Sequence, residues 1–199
     1  MGDPAGPLAT YEDLLNLEED VRAEVLGGRV VTSPAPLPRH SKSQRALGSF
    51  IGRPYDDDDG HGGPGGWWIF VEVDVELEAH EVVCPDLSGW RRARLPDPGS
   101  ARPIRIAPDW VCEVLSPSTE ARDRNQKRAL YHRHRIGHYW IVDPEARLVE
   151  VFAHAEAGWT LVGTYGDGES VAMPPFLDVE VPIGRLFLPM PAESEPTEE

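Results

Sequence analysis

Residues 108 to 143 constrain this chain more than any other stretch. "DWVCEVL" is apolar on successive residues instead of alternating, as a strand buried on both faces must be. "SPST" ends it, and Ser118 or Thr119 is placed to cap a helix from about Glu120 to His134. "HYWIVD" reads as the next strand. Within this strand–helix–strand unit the apolar run carries one acid, Glu113. The helix behind it carries six Arg/Lys against Glu120 and Asp123 over residues 120 to 135.

The rest of the chain reads as strands and turns with few helices. Thr10 can cap a short helix, "YEDLLNL", and Gly27-Gly28 turns a hairpin with Glu24 on its first strand and Arg29 to Ser33 on its second. Residues 41 to 52 suit a helix that shows Leu47, Phe50 and Ile51 to the core. "WWIFVEVDVELE" alternates, which predicts one long strand, a turn near Ala79-His80 and a short strand Val82 to Cys84. A hairpin turning around Glu156-Gly158 follows "HYWIVD", and "VAMPPFLDVEVPIGRLF" predicts a strand returned to the sheet, then a short helical turn. We expect a single domain over residues 10–188, with flexible termini at 1–9 and 189–199 and a loop or disordered segment at "DDDDGHGGPGG".

The formal charge of −15 argues against a protein that coats nucleic acid non-specifically. No run of 18 apolar residues and no signal-type segment occurs, so a soluble cytoplasmic protein without membrane attachment is expected. Cys84 and Cys112 lack metal-ligand spacing and read as small buried side chains. His132, His134 and His138 straddle the helix–strand boundary with no cysteine nearby, a poor zinc site. No Gly-rich phosphate loop is present, and neither Ser33 nor Ser116 has a base beside it in a nucleophile motif. The aromatics Trp67, Trp68, Trp110, Tyr139 and Trp140 suit core or dimer contacts better than a base-stacking platform.

The carboxylates carry the chemistry. Asp86 follows the short strand at 82–84, and if that strand neighbours "DWVCEVL", Asp86 and Glu113 meet at one point of the sheet. Two close carboxylates repel, and a hard divalent cation, Mg²⁺ or Mn²⁺, relieves that cost, with the Val114 carbonyl as a natural third oxygen. Lys127 is one of only two lysines beside 17 arginines. Its compact charge can polarise or orient an attacking water. Arg124, Lys127, Arg128 and Tyr131 recur at three- and four-residue spacings, so they share nearly one helix face, either a phosphate-facing patch or an exposed one.

"LGGRVVTSPAPLPRHSKSQRAL", "VVCPDL", "WVCEVLSPSTEARDRNQKRALYHRHRIGHYWIVDP" and "LFLP" together resemble the Uma family of the PD-(D/E)xK nuclease superfamily, over about residues 10 to 188. The resemblance implies an α/β (α+β) restriction endonuclease-like fold, a mixed β-sheet core flanked by helices with additional β-hairpins. It matches Asp86 to the PD aspartate, Glu113 to the second metal carboxylate and Lys127 to a lysine migrated onto the following helix, since Leu115 stands where the superfamily usually has lysine. Glu24 resembles an auxiliary acid, and His40 a residue lining the same cleft. Two departures are visible. "VLGG" replaces the more usual "LIDG", and the Arg- and Pro-rich segment between Asp86 and Trp110 stands where many relatives run straight into a strand.

The leading expectation is a metal-dependent endonuclease acting on DNA, possibly RNA. Arg122, Arg124 and Arg128 are candidate phosphate contacts, and the protein is expected to be a homodimer by analogy with other enzymes that cut both strands. The alternatives are a non-catalytic scaffold binding a protein or nucleic acid and another metal-dependent phosphoesterase.

Overall fold

The computed structural model describes residues 7–57, 63–99 and 102–190. Among the described residues the chain forms two larger sheets and a separate two-stranded one. A six-stranded sheet has the order β10-β9-β8-β7-β6-β3, and a four-stranded sheet the order β2-β1-β5-β4. The first comprises β3 (Trp67–Val71), β6 (Leu87–Arg91), β7 (Trp110–Val114), β8 (His138–Asp143), β9 (Leu148–Ala155) and β10 (Gly158–Gly166). The second comprises β1 (Arg22–Leu26), β2 (Arg29–Ser33), β4 (Val75–Glu78) and β5 (Glu81–Val83). Only β7 and β8 run parallel in the larger sheet, because the helix between them carries the chain back across its face.

Every residue of β7 is buried, as its unbroken apolar run requires. Trp110, Cys112 and Val114 point to one face, where α2 (Pro38–Tyr55) packs Leu47 and Ile51 and where Trp67, Trp140 and Phe176 complete the core. Val111 points to the other face, among Tyr139, Leu130 and Tyr131. Period-two alternation therefore turns Glu113 toward this second face and the helix that covers it. α1 (Tyr11–Leu15) closes the outer edge; the Thr10 N–H donates to Asp13 Oδ2 at 2.7 Å in a capping box. Among the described residues no helix is long and apolar enough to cross a membrane.

Four expectations need correction. The long strand expected over 67–78 is two strands in different sheets, because Glu72 takes a positive φ of 51° and swings the chain from β3 to β4. Alternation along the stretch is real, but it cannot register a left-handed residue in the middle. The segment after Asp86 does enter a strand at once, β6, whose small residues Ser88 and Gly89 hide it from a propensity reading. The segment "VAMPPFLDVEVP" does not return to the main sheet: β11 (Ser170–Met173) and β12 (Phe176–Pro182) pair only with each other, before a 3₁₀ turn, Ile183–Leu186. Finally, helix α2 is longer than residues 41–52, starting on Pro38, whose missing N–H costs nothing in a first turn. Residues 7–9 are tied down, with the Ala9 N–H donating to the Gly28 carbonyl at 2.9 Å. The remaining N-terminal residues, 58–62 of the acidic loop and 191–199 lie outside the described residues.

Gly89 shows how tightly the sheet is packed around the site. A Cβ there would lie 3.1 Å from both Ile69 Cδ1 and the Trp110 ring, which are held by the core. Gly89→Val should therefore lower stability by about 1–3 kcal/mol through overpacking, read as an earlier urea midpoint with an unchanged denaturant slope.

Candidate active site

β6 and β7 pair antiparallel with Leu87 opposite Cys112, so one step further Asp86 stands across from Glu113. The condition set for this meeting, that the short strand neighbour β7, does not hold: β5 pairs with β1 and β4, and it is Asp86, three residues past its end, that reaches β7. The Val114 N–H donates to Asp86 Oδ2 at 2.7 Å, and His40 Nε2 lies 2.8 Å from Asp86 Oδ1. The neighbouring ladder bond runs from the Leu115 N–H to the Val142 carbonyl. Val114 thus directs its own backbone groups toward Asp86, away from β8.

Lys127 reaches this point from the helix that follows. The helix contains a π-helical turn, Arg122–Lys127, continued by α3, Arg128–Arg133. Lys127 is 2% exposed, and its Nζ lies 2.7 Å from Glu113 Oε1, 2.8 Å from Glu24 Oε1 and 3.8 Å from Asp123 Oδ1. The Tyr131 hydroxyl donates to the same Glu113 oxygen at 2.5 Å. Glu24 comes from the other sheet, and its Oε1 also accepts the Cys84 N–H at 2.9 Å. The expected convergence of Asp86, Glu113, Lys127, Glu24 and His40 is therefore present as geometry.

The charges are strongly coupled. Burial alone would lower the Lys127 ammonium, but Glu113, Glu24 and Asp123 outweigh it and hold the pKa well above the usual lysine value. Burial drives the Glu113 carboxyl well above the ordinary range; Lys127 opposes this, while Asp123, Asp86 and Glu24 reinforce it. Asp123 is raised too, again chiefly by burial. The Cys84 thiol is pushed far up by burial and by Asp74 and Glu24, so it is neutral.

These groups line a cleft of about 450 Å³ between the two sheets, formed where the chain leaves one sheet at Glu72–Asp74 and re-enters it at Cys84–Asp86. Arg122 lines it as well, donating to Ser33 Oγ at 2.6 Å with its Nε 3.8 Å from Glu24. The other helix residues expected in the cleft lie elsewhere. Arg124 pairs with Glu120, Asp143 and Glu150, Arg128 stacks over the Phe152 ring, and Tyr131 is fully buried behind Glu113. The π turn separates Lys127 and Tyr131, which point inward, from Arg124 and Arg128, which cross β9. His132 stacks on His154 and His134 meets Glu78, so the three histidines diverge. Asp123 was not singled out by sequence reasoning, although its place four residues before Lys127 was the available signal. Gln44 and Glu72, which brace the rim, gave none.

The donor set suits a hard divalent cation: carboxylate oxygens of Asp86, Glu113 and Glu24, with the Val114 carbonyl on the same side. Both partners of Glu113 sit on Oε1, and no described residue bonds Oε2. Six acids, Glu24, Glu72, Asp74, Asp86, Glu113 and Asp123, line the cleft against Arg22, Arg122 and Lys127, so carboxyl groups outnumber cations there. As they stand, no three His, Cys, Asp or Glu among the described residues are grouped closely enough to enclose an ion. Coordination therefore competes with the existing bonds of Glu113 and Asp86.

Comparison with known proteins bears on the family and the fold. A model of the Uma2 family, described as "Putative restriction endonuclease", matches residues 8–184. A crystal structure of "a putative nuclease belonging to DUF820" from Anabaena variabilis superposes with a TM-score of 0.71 at 22% identity, covering 89% of this chain and 96% of that one. At that identity the likeness is one of fold. No curated protein matches. Because the family model spans most of the chain, including every acid of the cleft and Lys127, the protein belongs to the Uma2 family.

Proposed function

We propose that the cleft hydrolyses phosphodiester bonds, most readily in DNA, with Mg²⁺ or Mn²⁺ held by Asp86, Glu113 and the Val114 carbonyl and with Glu24 as an auxiliary acid. The observation that carries this reading is the meeting of Asp86, Glu113 and Lys127, from a strand junction, a central strand and a helix, at one cleft. A bound divalent cation there supplies Lewis-acid polarisation of a phosphoryl oxygen and a more acidic water. His40 and the Val114 N–H orient the Asp86 carboxylate, and Tyr131 fixes Glu113. With its pKa raised, Lys127 stays charged at neutral pH. It acts by orienting water and offsetting charge, not by removing a proton. Arg122 is the helix arginine that lines the cleft and serves as the phosphate contact in this reading. Cutting both strands of a duplex calls for two such sites, so we also propose a homodimer.

One observation favours a second reading, a nuclease-like scaffold without catalysis: the acids already have internal partners. Calorimetric Mn²⁺ titration separates the two. Binding by the wild type that disappears in both Asp86→Asn and Glu113→Gln supports the nuclease, and the same variants should then lose plasmid cleavage. Absence of binding by the folded wild type favours the scaffold.

The raised Glu113 carboxyl gives a pH signature. A glutamate is ordinarily ionised well above about pH 4.3. Glu113 retains a proton at higher pH, and coordination must release it. Mn²⁺ binding should therefore release protons above that range, measured by titration in buffers of different ionisation enthalpy. Glu113→Gln should abolish the release.

Lys127→Met leaves buried acids unpaired and should cost about 3–5 kcal/mol at neutral pH. A carboxyl whose folded pKa is raised contributes stability at low pH that is lost as pH rises through the folded value. Without Lys127 the acids rise further, so the variant's deficit should narrow as pH falls. Urea denaturation across that range measures it.

A further inference from the structure

The cations of the helix after β7 are largely neutralised by the fold, whereas those of α2 are not. Arg122 faces Glu24, Arg124 faces Glu120, Asp143 and Glu150, and Arg133 faces Glu78 and Glu81. Helix α2 carries Arg39, Lys42, Arg45 and Arg53 and no Asp or Glu between Pro38 and Tyr55, in a chain of net charge −15. The four recur at spacings of three, three and eight residues, which sets them on the side opposite Leu47 and Ile51. Only Arg39 meets an acid among the described residues, Glu145 at 3.3 Å. Lys42 Nζ instead donates to the Arg185 carbonyl at 2.7 Å, so the exposed Arg185 joins the ridge. Lys42, Arg45 and Arg185 crowd together with no acid paired to them among the described residues. Burial, Arg45 and Arg185 all depress the Lys42 ammonium.

The ridge borders an open groove of about 600 Å³ along α2, lined by Gln44, Arg45, Gly48, Gly52 and Arg53, with Asp57 at its far end. A Cβ at Gly52 would touch nothing within 4 Å, so a bulky polymer can approach the helix backbone there. The groove meets the cleft through Gln44. Its Nε2 donates to Glu72 Oε1 at 2.9 Å and to the Asp86 carbonyl at 3.1 Å, and Glu72 and Asp86 both line the cleft.

We propose that the α2 ridge of Lys42, Arg45 and Arg53, with Arg185, docks the phosphate backbone of a DNA duplex and leads one strand past Gln44 into the cleft. The proposal rests on the phosphodiesterase reading for the identity of the polyanion. From Lys42 to Arg53 the helix rises about 16 Å, enough to follow several phosphates. None of these side chains reads bases, so the contact is electrostatic and indifferent to sequence.

The test is the salt dependence of binding to a short DNA duplex in EDTA, where no cleavage interferes. Each phosphate contact contributes about 0.9 to the slope of log K against log salt. The triple variant Lys42→Gln/Arg45→Gln/Arg53→Gln should lower the slope by about 2–3 and weaken binding at low salt, with its thermal midpoint unchanged. The charge-preserving triple Lys42→Arg/Arg45→Lys/Arg53→Lys should keep the wild-type slope. Arg124→Gln/Arg133→Gln should leave the slope unchanged. A neutralised ridge that keeps the wild-type slope overturns the docking surface alone, as does an equal fall in the Arg124/Arg133 control; the Mn²⁺ titration judges the cleft separately. A wild type that ignores the duplex but binds phosphatidylserine vesicles through the ridge overturns both the surface and the choice of DNA.

Discussion

The Lys127 ammonium is the contact on which the arrangement of this protein depends. It is buried, and it meets one acid from the first hairpin, one from the central strand and one from its own helix. Removing any of the three would leave charge behind in a nearly buried position, where an unpaired charge is costly. The same cation therefore ties the smaller sheet to the larger one and fixes how the helix lies over β7. Hydrophobic burial closes the core on both faces of β7, and the ion network lies at its helix-covered face.

The acids and the lysine were legible because their sequence surroundings were unusual. Glu113 stands in a strand otherwise apolar on both sides, and Lys127 is rare in an arginine-rich chain. The unit β7–helix–β8 was readable for a related reason: its long apolar runs stand out on either side of "SPST", although neither Ser118 nor Thr119 caps the helix as expected. Where the reading failed, a single backbone conformation decided the outcome. Glu72 in the left-handed region splits one alternating stretch between two sheets, and no residue type announces it, since glycine is the usual signal. The paired strands β11 and β12 were placed on the wrong partner because alternation reports which face is buried but not which strand lies alongside.

The helix face was misread through its period. Three- and four-residue spacings group Arg124, Lys127, Arg128 and Tyr131 only if the helix is regular, and Arg122–Lys127 is π-helical. A π turn adds a residue to the hydrogen-bonded ring and rotates everything after it, a feature that recurs at functional positions. Here it lets Lys127 and Tyr131 converge on one oxygen of Glu113 while the arginines beside them turn to the acids and aromatic ring of β9 and its neighbours. The basic character of that helix is thus mostly internal, whereas Lys42, Arg45 and Arg53 of α2 meet no acid among the described residues.

The two crossings of the chain between sheets have a mechanical consequence. Asp86 and Glu113 are held by a shared ladder of β6 and β7, so their separation is as rigid as the sheet itself. Glu24 belongs to the other sheet, where its Oε1 accepts the Cys84 N–H, and it meets the covering helix through Lys127 and Arg122. One wall of the cleft is therefore set by the hydrogen-bond ladder of the larger sheet, and the other is joined to it by side-chain ion pairs.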